Sequence, residues 1–237
     1  MRDILAAGLA ELGLTGRVPE QAPEQLARYG RLLLEKNQVM NLTAITDPVK
    51  VAQLHMLDCA ALLGCADFQD KTLIDVGTGA GFPGLVLKIL VPSLQVTLLD
   101  SLGKRVDWLR ETADQLGLEG VTCLHARAEE QALVKGFRDS FDFAAARAVA
   151  DLRLLSELCL PFVKPGGRFL AMKSTGSGQE LEEAGRAIRT LGGAVAAVED
   201  YPVPGAGVTH RLIQIEKRAP TPKGYPRRWA KAQKAPL

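Results

Sequence analysis

The sequence lacks the long apolar runs and the cysteine patterns that mark membrane, zinc-binding and disulfide-rich proteins. No apolar stretch approaches the roughly 20 residues that a membrane-spanning helix needs. The four cysteines lie in separate apolar segments without C-x-x-C spacing, at Cys59, Cys65, Cys123 and Cys159. This distribution argues against both a zinc site and a disulfide framework. We therefore expect no metal.

Two further absences concern the ends of the chain. The N-terminal segment has no signal-peptide core and carries Asp3 and Glu11, so we expect a cytoplasmic protein. Residues 217–237 contain no acidic residue, although they hold seven of the 29 basic residues of the chain. Because all 27 acidic residues therefore lie in 1–216, the body of the chain is mildly acidic and its end is strongly basic.

The patterns that are present divide the chain into three parts. Apolar residues at helical spacing predict an N-terminal helical cap over residues 1–68, with no strand before Thr72. Residues 69–216 form a predicted α/β core. Residues 217–237 are rich in proline and basic residues, and they predict a tail without a core of its own.

Short apolar runs alternate with helical segments throughout the α/β core, which is typical of a parallel sheet with helical crossovers. The predicted strands are 73–76, 96–99, 121–125, 141–146, 168–172, 194–198 and 211–215. In such a sheet, ligands bind outside the carboxyl ends of the strands, near the point where strand order reverses. The polar or loop residues at or just after these ends are Asp75, Asp100, Ala128, Glu129, Arg147 and Lys173. We expect them to meet at one edge of the sheet.

A glycine-rich run follows the first predicted strand, with the sequence D-V-G-T-G-A-G-F-P-G over residues 75–84. Alternating glycines let the backbone turn without Cβ clashes and pass close to a ligand. Pro83 suits the first turn of a helix over 83–90, whose free N–H groups point back into the loop. The run therefore predicts a strand, a ligand-binding loop and a helix start.

The residues around this loop leave two cofactors open. Gly79 to Gly84 satisfies G-x-G-x-x-G, a weak match to the dinucleotide fingerprint, and the helix N-terminus suits a pyrophosphate. However, the turn begins one G-x earlier, at Gly77, and Asp75 would repel a pyrophosphate but receive the ammonium group of a methionine moiety. At the end of the next strand, Asp100 can accept hydrogen bonds from both hydroxyls of a ribose or cap the helix that follows. The loop therefore favours S-adenosylmethionine over NAD.

The glycine-rich loop resembles the first motif of class I methyltransferases. Together with L-L-D-S-L-G-K-R-V over residues 98–106 it resembles one family, the bacterial small-subunit rRNA guanine-N7 methyltransferases G, also called glucose-inhibited division protein B. Further matches are Asn41-Leu42-Thr43, His55-Met56-Leu57-Asp58, Arg147-Ala148, and the ending Tyr225-Pro226-Arg227 through Lys234-Ala235-Pro236-Leu237. The resemblance extends from about residue 25 to the end of the chain, with several independent motifs in the right order.

This resemblance implies the class I S-adenosylmethionine-dependent methyltransferase fold, a Rossmann-like, seven-stranded, mainly parallel sheet behind the helical cap. The implied reaction is methylation of N7 of one guanine in 16S rRNA. The implied partner is the RNA itself, the small ribosomal subunit or an assembly intermediate, and we expect a monomer. The implied cofactor-binding residues are Gly77, Gly79, Gly81, Phe82, Asp100, Ala128, Glu129 and Arg147. Glu129 has an alternative role as a helix-start carboxylate.

Arg147 is the predicted catalytic residue, because the resemblance places it between cofactor and target base. Guanine N7 carries a lone pair and needs no general base, so the barrier should fall mainly through alignment of the reacting atoms. The scarcity of His and Cys at the strand ends is consistent with such a reaction. We expect His55, which has apolar helical neighbours, to be a partly buried histidine without a direct chemical role.

Cationic side chains are the candidates to hold the target nucleotide, namely Lys104, Arg105, Lys173 and Arg227. In the tail, Tyr225 and Trp229 alternate with arginines, so rings can stack on bases while guanidinium groups contact phosphates. The alternatives are a solvated helix face for Lys104 and Arg105 and a disordered solubilising segment for the tail.

Two other classes of function stay open on the sequence alone. An NAD-dependent oxidoreductase would rest on the match from Gly79 to Gly84. A non-catalytic RNA-binding protein that senses the cofactor would retain the loop and the basic tail but transfer no methyl group.

Overall fold

A computed structural model of the chain describes residues 1–147 and 150–237, so Ala148 of the Arg147-Ala148 pair lies outside the described residues. The N-terminal part is helical, as its apolar spacing predicts. Its helical segments are α1 (Arg2–Glu11), α2 (Ala22–Asn37), α3 (Pro48–Val51), a π-helical stretch (Ala52–Leu57), α4 (Asp58–Ala60) and a 3-10 turn (Ala61–Gly64). Asp47 caps α3, since its Oδ1 accepts a hydrogen bond from Lys50 N at 2.8 Å.

The α/β core is a seven-stranded, mainly parallel sheet across the described residues, which confirms the predicted fold. The strands are β1 (Thr72–Val76), β2 (Gln95–Asp100), β3 (Val121–His125), β4 (Phe141–Arg147), β5 (Val163–Ser174), β6 (Gly193–Val203) and β7 (Val208–Lys217). Their order is β3-β2-β1-β4-β5-β7-β6. Strands β1 to β5 pair in parallel, and β7 runs antiparallel to both β5 and β6. The order reverses between β1 and β4, which is where a ligand site is expected.

Helices pack against the sheet through two hydrophobic clusters. These helices are α5 (Gly84–Leu90), α6 (Gly103–Gln115), α7 (Ala128–Gln131), α8 (Leu152–Cys159), a 3-10 turn (Leu160–Phe162), α9 (Gly178–Thr190) and α10 (Trp229–Lys234). Leu73 of β1 belongs to the cluster that includes the cap, whereas its neighbour Ile74 belongs to the other cluster. Since successive strand residues point to opposite faces, the cap covers one face of the sheet and shares its hydrophobic core.

Two local features differ from the predictions. Pro83 precedes α5 as its N-cap rather than occupying the first helical position. Strand β5 begins at Val163, five residues before the predicted start at 168. Gly166 within it has a φ of +86°, and the register against β4 shifts between Phe141 and Phe143. No helix in 1–147 or 150–237 has both the length and the apolar character needed to cross a membrane.

The C-terminal tail, which was predicted to have no core of its own, packs on the α/β core. Lys217 is fully buried, and its ammonium group donates to Asp139 Oδ1 at 2.5 Å and to the carbonyl oxygens of Leu160 and Val163. Arg138 in turn donates to carbonyl oxygens of Thr221, Pro222 and Tyr225. The tail is therefore held by charged side chains that reach backbone oxygens and by Tyr225, Trp229, Ala232 and Leu237, which pack against a hydrophobic cluster of the core.

Arg227 is the second anchor of the tail, and its predicted role in holding the substrate stays a prediction. Its Nε and Nη2 donate to the carboxylate of Glu157, with the Nη2 to Oε2 distance at 2.6 Å, and its Nη1 donates to Ala235 O. The side chain of Glu157 is 1% exposed. The guanidinium thus neutralises a buried carboxylate and fixes the last residues of the chain through Ala235 O.

Replacing Arg227 with Ala should therefore destabilise the protein by about 3 kcal/mol, since it leaves the buried Glu157 carboxylate without its partner. Arg228→Ala is the matched control, because Arg228 is exposed and its loss should change the free energy of unfolding by less than about 0.5 kcal/mol. Denaturant unfolding of both variants measures the difference. If Arg227→Ala unfolded like the wild type but bound rRNA less tightly, the structural role would be wrong and the predicted substrate role would be supported.

Gly84 is the glycine whose packing is tightest against the first two strands. A Cβ at Gly84 would lie 2.5 Å from Leu98 Cδ2 and 2.9 Å from Asp75 Oδ2. We expect Gly84→Ala to lower the free energy of unfolding by about 2 kcal/mol, because the strands or α5 must shift. In Gly178→Ala, at the start of α9, nothing lies within 4 Å of the new Cβ, so stability should stay equal or rise by up to about 1 kcal/mol. Equal losses in the two variants, measured by denaturant unfolding, would refute the steric account.

Candidate active site

A cavity of about 940 Å³ opens at the carboxyl ends of β1, β2, β4 and β5, between the sheet and the cap. Of the predicted site residues, those that line it are Gly77, Gly79, Phe82, Asp100, Arg105, Arg147 and Lys173. The cap contributes Leu42, Thr43, Ile45, Leu54, His55 and Asp58, and β7 contributes His210. The fold thus brings residues from distant parts of the chain together where the strand order reverses, as the positions of the predicted strand ends indicated.

The glycine-rich loop forms one wall of the cavity. Gly77 and Gly79 have φ values of +69° and +59°, a conformation that a side chain would strain. Their positions are fixed because Gly77 N donates to Leu99 O at 2.8 Å and Gly79 N donates to Asp100 Oδ2 at 3.0 Å. The loop therefore presents bare backbone to the cavity.

Gly81 serves packing rather than the cavity surface. It is buried, and a Cβ there would lie 2.7 Å from Tyr29 Oη of α2. The Tyr29 hydroxyl donates to Ala80 O. Because the cap thus rests directly on the loop, a glycine at position 81 is required by the approach of α2, and its expected cofactor contact stays a prediction.

Asp75 does not lie at the surface of the glycine-rich loop. The predicted contact with the ammonium group of the cofactor's methionine moiety is therefore wrong. Its side chain is fully buried, and Oδ2 accepts hydrogen bonds from Thr78 Oγ1 at 2.7 Å and Gly84 N at 2.8 Å. Within the described residues Oδ1 has no hydrogen-bond partner. Burial raises the pKa of this carboxyl to about 6, although both hydrogen bonds oppose the shift. Asp75 ties the loop to the start of α5.

Asp100 combines the two roles that the sequence left open. Oδ1 accepts from Leu102 N at 2.9 Å and so orders the entry to α6, while Oδ2 accepts from Gly79 N. The carboxylate also lines the cavity, and Arg105 Nη1 lies 3.7 Å from Oδ2. Each carboxylate oxygen accepts more than one hydrogen bond, so Asp100 can hold the loop and still receive ribose hydroxyls.

Ala128 and Glu129 do not line the cavity as described. Glu129 is buried in the first turn of α7, where Oε1 accepts from Arg127 Nε at 2.9 Å. The Arg127 guanidinium lies 5.5 Å from the ring centroid of Trp229 in the tail. The structure thus links this segment to the tail, and the adenine contact implied by the resemblance stays a prediction.

Arg147 lies where the cap meets the end of β4. Its Nη1 donates to Leu54 O at 2.9 Å and contacts Asp58 Oδ2 at 3.3 Å, and its Nη2 donates to His55 Nδ1 at 2.9 Å. The carbonyl oxygen of Leu54 is available for this bond, because the backbone N–H groups at the end of the π-helical stretch donate to Gln53 O and His55 O instead. The guanidinium also lies 4.9 Å from the centroid of the Phe82 ring, a favourable cation–π geometry.

His55 supports Arg147 from the cap. Its ring stacks on Phe82 at a centroid distance of 4.7 Å, and Nε2 lies 2.7 Å from Thr43 Oγ1. Burial lowers the pKa of His55 to about 4, and the neighbouring Arg147 charge adds to the shift. At neutral pH the imidazole is therefore uncharged, and Nδ1 is free to accept the Arg147 hydrogen bond.

Sequence reasoning missed the group that surrounds Asp58. Asp58 Oδ1 accepts from Tyr201 Oη at 2.9 Å and from His210 Nδ1 at 2.8 Å, while Oδ2 faces Arg147. Tyr201 and His210 lie on β6 and β7, more than 140 positions from Asp58. The available signal was that Asp58 belongs to the His55-Met56-Leu57-Asp58 match, which had no assigned role.

The remaining cationic candidates differ in their availability. Arg105 is about one-third exposed and lines the cavity. Lys173 also lines it, but its ammonium group donates to Glu180 Oε1 at 2.5 Å and Ala150 O at 2.6 Å. Lys104 is exposed and lies outside the cavity lining. Arg105 is thus the candidate that combines a charge with access.

The cavity fits the methionine-containing adenosyl cofactor that the loop predicts. Its volume lies within the range of small-molecule sites, with a carboxylate for ribose hydroxyls at Asp100 beside the open backbone of Gly77 and Gly79. Among residues 1–147 and 150–237, no group of three or more His, Cys, Asp or Glu side chains is arranged to hold a metal ion.

The fold and the cavity define a class I S-adenosylmethionine-dependent methyltransferase. A solved structure with the same fold is a SAM-dependent methyltransferase from Aquifex aeolicus, with a TM-score of 0.51 and 21% identity, covering 71% of this chain and 93% of that one. Residues 22–203 match the family described as rRNA small subunit methyltransferase G. The chain belongs to this family.

Curated relatives with the same description align over more than nine-tenths of their length. "Ribosomal RNA small subunit methyltransferase G" of Alkaliphilus metalliredigens is 44% identical over 99% of this chain and 98% of the relative. The protein of that name from Staphylococcus carnosus is 47% identical over 92% of both. Membership confirms the resemblance and does not favour an NAD-dependent oxidoreductase.

Proposed function

We propose that the protein transfers the methyl group of S-adenosylmethionine to N7 of one guanine in 16S rRNA, within the RNA or a small-subunit particle. The observation that carries this proposal is the position of Arg147, which the cap holds at the same cavity as Asp100 and the glycine-rich loop. The curated relatives, which are named as small-subunit rRNA methyltransferases, support the choice of RNA.

The cofactor supplies an electrophilic methyl group on its sulfonium sulfur. For their part, the protein residues bind and orient: Asp100 receives the ribose, and the backbone of Gly77 and Gly79 borders the cofactor. Arg147 donates to an oxygen of the guanine and leaves N7 free. Because alignment is the main requirement, a rigidly held guanidinium suits the task.

The cavity also suits a reaction that needs no general base. Guanine N7 has a lone pair in the base plane, so no proton must be removed before methyl transfer. His55 has both ring nitrogens engaged, by Arg147 and Thr43, so it is not available as a base. The target guanine must leave its stack to reach the cavity, at a cost of a few kcal/mol.

Nucleoside mass spectrometry of small-subunit rRNA tests this proposal. A strain that lacks the gene should lose one 7-methylguanosine, and the wild-type gene should restore it. Restored 7-methylguanosine at an unchanged level with Arg147→Ala would contradict the role of Arg147. If wild type and deletion strain carried equal 7-methylguanosine, the cofactor-sensing RNA-binding protein would be favoured.

Action in the cytoplasm, as a monomer and without a metal, is part of the same proposal. Its support is the ribosomal RNA named in the description of the curated relatives, which is a cytoplasmic substrate in bacteria. Sedimentation of the purified protein with and without small subunits, and activity in the presence of a chelator, test these points separately.

A further inference from the structure

Two of the three histidines line the cavity, and their ring nitrogens are used differently. His55 has both nitrogens engaged, whereas His210 uses Nδ1 alone, at 2.8 Å from Asp58 Oδ1. Across residues 1–147 and 150–237, no hydrogen bond to His210 Nε2 is found, and its side chain is 31% exposed on the cavity wall. His210 therefore offers one ring nitrogen to a molecule in the cavity.

Asp58 determines the orientation and the charge of the His210 ring. A carboxylate at Nδ1 requires that Nδ1 carry a proton, which leaves Nε2 as the titrating position. The hydrogen bond to Asp58 raises the pKa of His210 from its ordinary value of 6.5, while burial and the Arg147 charge oppose the shift. A protonated ring presents Nε2–H as a charged donor.

Other polar groups around His210 are already paired or uncharged. The ring of Tyr201 on β6 lies 6.4 Å away, and its hydroxyl donates to Asp58. The register partner on β5 is Ser174. The remaining charged neighbours form ion pairs of their own, Lys173 with Glu180 and Arg211 with Asp200. His210 and Arg147 thus share the single carboxylate of Asp58, which leaves a net positive cavity wall when His210 is protonated.

We propose that His210 binds the target nucleotide directly, with its Nε2–H donating to an oxygen acceptor of that nucleotide. This inference rests on the proposed function. The acceptor is guanine O6 or a backbone phosphate oxygen, and both accept a charged hydrogen bond. Guanine N7 is excluded because it must stay free for the methyl group. Asp58 then acts as a positioning residue that holds Arg147 and His210 on the same wall.

The contact predicts a pH dependence in the affinity for RNA. Because the pKa of His210 is raised, the donor is fully present below pH 6.5 and is lost as pH rises through the higher value in the folded protein. The KM for the small-subunit substrate should rise about tenfold across that range, the loss of one charged hydrogen bond. Binding of S-adenosylhomocysteine should not follow the same profile.

His210→Asn is the informative variant, because its amide occupies the place of Nδ1 and can still donate to Asp58 while Nε2 is removed. At pH 6.5 its KM for small subunits should be about tenfold higher than that of the wild type, with unchanged affinity for S-adenosylhomocysteine. Between pH 6.5 and 8.5 its KM should be flat. The difference between the pH profiles of wild type and variant also separates the titration of His210 from that of Asp75, whose pKa lies near 6.

Reconstituted subunits with 2-aminopurine at the target position identify the acceptor, because this base keeps N7 but lacks O6. If the wild type and His210→Asn then have equal KM values, the acceptor is O6. If the KM of His210→Asn is still higher than that of the wild type, the acceptor is a phosphate. Equal KM values and equal pH profiles on unmodified subunits would overturn the inference while leaving methylation intact. If His210→Asn does not fold, the wild-type protein decides alone, and a KM that is constant from pH 6.5 to 8.5 overturns the inference. An absence of methylation by the wild type would instead refute the proposed function.

Discussion

Arg147→Ala is expected to lower the single-turnover rate of methyl transfer to small subunits by about 100-fold or more, since misalignment of reacting groups by even 1 Å costs about that factor. The variant should also lose about 2 kcal/mol of stability, because Asp58 loses its guanidinium partner although it keeps the hydrogen bonds from Tyr201 and His210. Arg147→Lys keeps the charge, but one ammonium cannot reproduce the planar contacts to Leu54 O, His55 and Asp58. It should therefore recover part of the stability and little of the rate.

Single-turnover transfer from radiolabelled S-adenosylmethionine, together with denaturant unfolding, separates the two effects. Arg153→Ala is the matched control, since Arg153 is one-third exposed and pairs with Asp151 and Glu183 away from the cavity lining. It should transfer methyl groups at the wild-type rate. A rate for Arg147→Ala within threefold of the wild type would exclude Arg147 as the catalytic residue.

Asp100→Asn is expected to raise the Kd for S-adenosylhomocysteine by about 100-fold. The carboxylate can receive two ribose hydroxyls, and hydrogen bonds to a charged group contribute about 1.5 kcal/mol or more each, so their loss amounts to about two decades in Kd. The amide also turns one acceptor into a donor next to Gly79 N, which already donates to Oδ2. Isothermal titration calorimetry measures the change.

Asp107→Asn is the control for this prediction. Asp107 lies on α6, the helix that follows Asp100, but it is exposed and pairs with Arg110 at 2.8 Å. Its Kd should equal that of the wild type. RNA affinity should be unaffected by either substitution. If Asp100→Asn lost stability but bound S-adenosylhomocysteine as tightly as the wild type, Asp100 would be only a support for the loop and for α6.

The glycine-rich loop and the strand ends were predictable because their signals are local. Short apolar runs specify strands buried on both faces, and the carboxyl ends of parallel strands necessarily share an edge. Asp100 and Arg147 could therefore be placed at one site without knowledge of any contact between them. The positive φ values of Gly77 and Gly79 are conformations that glycine adopts without strain.

The environment of each charged side chain was not predictable in this way. Asp75 was expected at the surface of the loop but is fully buried beneath it. Arg227 was expected to contact RNA but neutralises Glu157, 70 positions away in the sequence. The pair of Asp58 with His210 joins residues 152 positions apart. A sequence pattern reports periodicity over a few residues, whereas an ion pair depends on which distant segment packs opposite.

By itself, the sequence determined the sheet with its crossovers, the ligand loop and the edge at which the chemistry lies, and its resemblance to a family named the reaction. Only the tertiary structure showed which charged side chains face the cavity and which ones hold segments of the fold together. Arg147, Arg105 and His210 line the cavity, whereas Asp75, Arg227 and Lys217 hold segments together. The physical reason is that a buried charged group must be paired with an opposite charge or hydrogen-bonded, and its partners are supplied by the packing of the cap, the β6–β7 pair and the tail around the sheet.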